Sequence, residues 1–102
     1  MLRIAVCDDD KNSVLAHKEM TEICLGECGI AGEIQVYTAS DNLLYDITED
    51  NFFFDLILLD IEMPGVTGME IAEKIKPFLP NVKIIFITSH VESRLPSLTH
   101  NA

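Results

Sequence analysis

Four short apolar runs, separated by segments long enough for helices, constrain this chain more than any other feature. They are Ile4 to Cys7, Ile34 to Tyr37 (interrupted by Gln35), Leu56 to Leu59 and Val82 to Ile87. Nearly continuous runs of this length, rich in Ile, Leu and Val, predict strands buried on both faces. Leu56-Ile57-Leu58-Leu59 is the clearest of them.

The segments between the runs carry helical spacing. Ala16, Met20, Ile23 and Cys24 recur at i, i+4, i+7 and i+8, which predicts the apolar stripe of a first helix. Asp10 or Asn12 can cap its start, and Gly26 or Gly29 its end. Ser40 can cap a second helix running through Leu43, Leu44 and Ile47. Thr67 can cap a third, with an apolar face of Ile71, Ala72 and Ile75 before Pro77. Strands alternating with helices imply right-handed crossovers and an α/β, doubly wound parallel sheet covered on both sides. A chain of 102 residues has the size of one domain.

Seventeen acidic residues against seven basic ones leave a formal charge of -10. Such a surface repels phosphate backbones and anionic lipid heads, so direct nucleic-acid or membrane binding by this segment is not expected. The first apolar run is too short for a signal-peptide core. No stretch approaches the roughly 20 apolar residues of a membrane span, which predicts a cytoplasmic protein. Cys7, Cys24 and Cys28 form no disulfide framework and lack the ligand set of a metal site. They are expected to be reduced, small apolar fillers.

In an open parallel sheet, ligands bind beyond the carboxyl ends of the strands, where the strand order reverses. Asp8, Asp9 and Asp10 follow the first run directly and Asp60 ends the third. If those two strands are neighbours, Asp8, Asp9 and Asp60 converge on one pocket, while Asp10 serves as a helix cap. Three carboxylates in one place repel each other unless a cation or protons compensate. A hard divalent ion such as Mg2+ meets that need, and the backbone carbonyl of Glu62 can add another oxygen ligand. Asp60 would then act as nucleophile toward a phosphoryl group. The hydroxyl of Thr88, after the fourth run, can hydrogen-bond a phosphoryl oxygen. Met63-Pro64-Gly65 and Gly68 form a tight turn that keeps bulk away from the acids.

These same residues carry a family resemblance. Val6-Cys7-Asp8-Asp9-Asp10 resembles the acidic end of the first strand of a response-regulator receiver domain. The stretch from Phe54 to Gly68, with Leu59-Asp60-Ile61-Glu62-Met63-Pro64-Gly65 at its centre, is similar to the receiver's third strand and following loop. Ile84-Ile85-Phe86-Ile87-Thr88-Ser89 resembles its fourth strand and switch hydroxyl. Cys7 and Thr88-Ser89-His90 are similar to the subgroup whose full proteins carry a LytTR-type DNA-binding domain. The resemblance implies a flavodoxin-like sheet and phosphotransfer from a sensor histidine kinase to Asp60. It also implies Mg2+ held by Asp9 and Asp60 with help from Asp8, and Thr88 as switch residue.

The chain departs from the family pattern after Glu92. Receivers continue with a fourth helix, a fifth strand and a lysine at its end. None of Lys11, Lys18, Lys74, Lys76 or Lys83 stands in that place. The lost charge-assisted contact is worth about 1.5–3 kcal/mol. The expectation is a shortened receiver over residues 1–92, strand order 2-1-3-4, with an irregular or disordered tail over 93–102. Its fourth strand would be an exposed apolar edge that invites a homodimer or domain swap. Two alternatives remain. One is a degenerate receiver that serves only as an interaction or dimerisation module. The other is a haloacid-dehalogenase-like phosphatase built on Asp8 and Asp10, although Asn12 replaces the threonine that family would need.

Overall fold

The structure, a computed structural model, describes residues 1–63 and 65–87. Seven elements follow one another as β1 (Leu2–Cys7), α1 (Lys11–Cys28), β2 (Gly32–Tyr37), α2 (Ser40–Thr48), β3 (Leu56–Asp60), α3 (Gly68–Ile75) and β4 (Lys83–Ile87). The strands form one parallel sheet in the order β2-β1-β3-β4. The chain steps outward from β1 to β2, then crosses back to place β3 on the other side of β1. The order reverses between β1 and β3, and the crevice lies at that point.

Alternation along the strands divides the interior into two cores. Ala5 and Cys7 of β1, Ile57 and Leu59 of β3 and Tyr37 of β2 pack with Leu43 and Ile47 of α2 and Ile71 and Ile75 of α3. On the opposite face Ile4 and Val6 pack against Val14 of α1, flanked by Leu25, Ile34, Leu56 and Leu58. Only β1 is buried on both faces. On β3, Leu56 and Leu58 are half-buried, and β2 keeps most of its residues in solvent. The expectation of strands buried on both faces therefore holds for β1 alone: β3 has a strand on each side, but on one of its faces Leu56 and Leu58 stay half-buried.

The helix boundaries have local causes. Asp10 caps α1, its side chain accepting from the Ser13 N–H at 3.0 Å. Gly29 closes the helix at φ 69°, a left-handed value that glycine adopts without strain. Thr67 and Glu70 form a reciprocal capping box at the start of α3. At α2 the cap is Ala39, with no side-chain bond, and Ser40 is the first helical residue. Ser40 as cap was thus one residue late.

The stripe expected on α1 is not its packed face. Ala16, Met20, Ile23 and Cys24 are exposed, and Met20 is 62 % accessible. The helix leans on Val14, Thr21 and Leu25 instead. It lies over β1 and β2, so the Met20–Cys24 side faces the uncovered part of β3 and β4. There His17, Met20, Thr21 and Cys24 line a groove of about 320 Å³ whose other wall is Leu56, Leu58, Ile85 and Ile87. Cys24 and Cys28 are correspondingly exposed free thiols, and only Cys7 is a buried filler.

Candidate functional site

The loops after β1 and β3 bring three acids together. One carboxylate oxygen from each of Asp8, Asp9 and Asp60 lies within 4.8 Å of the others. Asp8 and Asp60 are each 1 % exposed, whereas Asp9 is exposed. The register explains the convergence. β1 and β3 are paired up to Cys7 and Leu59, so Asp8, just past the end of β1, and Asp60, the last residue of β3, stand at the same level.

Backbone donors orient both buried acids. The Asp10 N–H donates to Asp8 Oδ1 at 2.9 Å and the Glu62 N–H to Asp60 Oδ1 at 3.2 Å. Asp8 Oδ2 is buried without a hydrogen-bond partner among the described residues. Its neighbour is Nδ1 of His17, 3.8 Å away. Burial raises the Asp60 carboxyl to about 6, opposed by the Glu62 N–H and reinforced by the negative charges of Asp8 and Asp9. The same burial, with Asp8, Asp60 and Asp9 nearby, pushes the Cys7 thiol up to about 12. Cys7 is therefore an inert thiol.

The turn beyond Asp60 keeps the pocket open. Gly65 adopts φ 86°, the Gly68 N–H donates to the Ile61 carbonyl at 2.8 Å, and Glu62 pairs with Thr67 in an isolated bridge. Asp9 also borders a cavity of about 380 Å³ formed with Thr38, Ala39, Ser40, Asp41, Met63, Gly65 and Val66. This space leaves the exposed side of Asp9 open to solvent. Thr38 and Ser40 at this mouth, like His17, were not among the residues the sequence singled out for the site. Only the packing of α1 and α2 on the sheet brings them there.

The structure thus brings together Asp8, Asp9 and Asp60. Thr88 lies outside the described residues, as do Glu92 and the segment 93–102. β4 ends beside the pocket, with Ile87 in register with Asp60 and its carbonyl accepting from the Ile61 N–H at 2.8 Å. The buried, unpartnered oxygen of Asp8 and the crowding of three carboxylates fit a hard divalent cation.

The sequence profile of the response regulator receiver domain matches residues 4–98. The chain belongs to that family. Membership sets aside the phosphatase alternative built on Asp8. The curated relatives include the response regulator UvrY of Escherichia coli K12, 44 % identical over 43 residues, which amount to 42 % of this chain and 20 % of that protein. The matched stretch thus covers about a fifth of the length of that relative. Among solved structures, the response regulator TrrA of Thermotoga maritima in complex with Mg(2+)-BeF is 36 % identical, with a TM-score of 0.65 over 96 % of this chain and 80 % of its own. The histidine kinase ThkA in complex with TrrA gives 32 % identity and a TM-score of 0.61, covering 87 % of this chain and 70 % of that one. The finer likeness to LytTR-type regulators rests on the sequence motifs alone.

Proposed function

We propose that this receiver accepts a phosphoryl group on Asp60 from the phosphohistidine of a sensor kinase. The observation that carries the reading is the convergence of Asp8, Asp9 and Asp60 at the point where the strand order reverses. A carboxylate oxygen of Asp60 attacks phosphorus, the phosphorus–nitrogen bond of the donor breaks, and the imidazole departs with a proton from solvent. The product is an acyl phosphate on β3.

The acids would hold Mg2+ through Asp8, Asp9, Asp60 and the backbone carbonyl of Glu62. When bound, the ion supplies positive charge that offsets the acids and the incoming phosphoryl oxygens. Glu62 N–H keeps one oxygen of Asp60 oriented, which leaves the other for attack. The hydroxyl of Thr88 is the proposed partner of a phosphoryl oxygen and the proposed switch. The domain then works by shifting between two conformations, in the manner of a signalling module and not by turnover. A sensor kinase partner and a cytoplasmic setting accord with this chemistry. Among the described residues no helix is long and apolar enough to cross a membrane.

The test is intact mass after incubation with Mg2+ and acetyl phosphate, for the wild type and Asp60→Asn. An adduct present only in the wild type is expected. A folded wild-type chain that gains no phosphoryl mass would overturn the reading.

A second reading has its own support. Ile85 of β4 is 51 % exposed, on a strand that has no neighbour on its outer side among the described residues. A module that associates through this edge and the groove beside it, as a homodimer or by exchange of elements, is the alternative function.

A further inference from the structure

At the edge of the acid pocket Asp8 faces a side chain that the chemistry above does not use, His17. Asp8 Oδ1 is committed to the Asp10 N–H. Its second oxygen and the Nδ1 of His17 are both buried, both lack a hydrogen-bond partner among the described residues, and face each other at 3.8 Å. Buried polar atoms are almost always paired, and two orphans in one place call for a common explanation. Their separation exceeds a hydrogen bond by about 1 Å, within reach of a small rotation of the imidazole.

The surroundings restrict that ring. His17 sits on α1 one turn beyond Val14, which is buried against Ile4 and Val6. Its carbonyl accepts from the Thr21 hydroxyl at 2.7 Å. Its side chain is 21 % exposed and lines the groove with Leu56 and Leu58. Among the described residues the apolar wall of Leu56 and Leu58 offers Nδ1 no acceptor, and Asp8 Oδ2 is the one it faces. A carboxylate oxygen has two lone pairs, so one that accepts from an imidazole can still serve a cation. Outer partners of this kind orient metal-binding carboxylates, and their loss typically costs 10–100-fold in affinity.

We infer that His17 is a positioning residue: its Nδ1–H holds the second oxygen of Asp8 in the orientation in which the pocket takes up its divalent ion. The inference rests on the Mg2+ reading above and adds a residue from α1 to it. His17 does not touch the phosphoryl group. It acts through Asp8, and it joins the acid pocket to the groove between α1 and the sheet.

Two measurements test it. In the wild-type chain, long-range 1H–15N NMR reports which imidazole nitrogen carries the proton, with the His17 signals assigned by their loss in His17→Asn. A proton on Nδ1 is expected, and a bare Nδ1 overturns the proposal without any variant having to fold. The second is Mn2+ binding, read from the free-ion signal in electron paramagnetic resonance. His17→Phe is expected to weaken Mn2+ by about tenfold or more, and His17→Asn, which keeps a donor near the Nδ1 position, to stay within about threefold of wild type. In an Asp8→Asn background, His17→Phe should add no further loss. Equal affinity of wild type and His17→Phe, or an undiminished loss in the Asp8→Asn background, overturns the inference. Wild-type Mn2+ binding that ignores both Asp9→Asn and Asp60→Asn would overturn the ion reading itself, and the inference with it.

Discussion

A Cβ placed on Gly68 would stand 2.5 Å from the carbonyl oxygen of Asp60. The first turn of α3 therefore rests directly on the backbone that carries the proposed phosphoacceptor. The obstacle is main chain, not the end of a flexible side chain, so it has nowhere to retreat.

Gly68→Ala should accordingly cost about 1–3 kcal/mol, the range for overpacking a close contact, and should slow phosphorylation by moving the end of β3. Urea unfolding and the acetyl phosphate mass assay check the two effects. Gly26→Ala is the matched control. It lies within α1 with nothing within 4 Å of the added carbon, and it should stabilise the chain by about 0.5–1 kcal/mol. Equal effects of the two substitutions would contradict the packing argument.

The raised carboxyl of Asp60 sets a pH dependence. Its value of about 6 against an ordinary 3.8 means that the folded chain binds this proton more tightly than the unfolded chain. Its contribution to stability is full below about 4 and is lost as pH rises through about 6, by about 1–3 kcal/mol. Without divalent ions, unfolding measured from pH 4 to 8 should show this decline, and Asp60→Asn should flatten it. Mg2+ should recover stability above pH 6 by binding the folded state. A wild-type profile that rises across this window would contradict the assignment.

Thr67→Ala removes one half of the capping box and should lower stability by about 1 kcal/mol. Because Thr67 also pairs with Glu62 across the turn, the substitution should loosen the loop that follows Asp60. Amide hydrogen exchange at residues 61–70 reads this directly, with faster exchange expected there and none added in β2.

Ile85→Lys places a charge on the exposed side of β4 and should abolish association through that edge. Light scattering over a concentration series is the measurement. A wild-type chain that stays monomeric at every concentration would remove the association reading, whatever the variant does.

Much of the fold was legible because its signals are local. Leu56 to Leu59 is an apolar run of strand length, although only one of its faces is fully buried, and Asp60 at its end places an acid at the sheet edge. Thr67 with Glu70 three residues later marks a helix start by its own hydrogen bonds. The stripe on α1 misled because Met20, Ile23 and Cys24 have helical spacing without being the face that packs. Which side of an amphipathic helix meets the sheet depends on where the helix lies across it. Spacing contains no such information.

The acid pocket divides along the same line. The sequence alone determined its ingredients: Asp8 and Asp9 after one apolar run, Asp60 after another, and glycines in the turn beyond. These follow from chain connectivity and the length of each strand. Only the tertiary structure decided that β1 and β3 are neighbours in register, that Asp8 and Asp60 are buried while Asp9 is not, and that His17 faces Asp8 from a helix nine residues downstream. Distances and burial arise from how separate elements pack, and a buried charge changes its proton affinity only once the packing has excluded water.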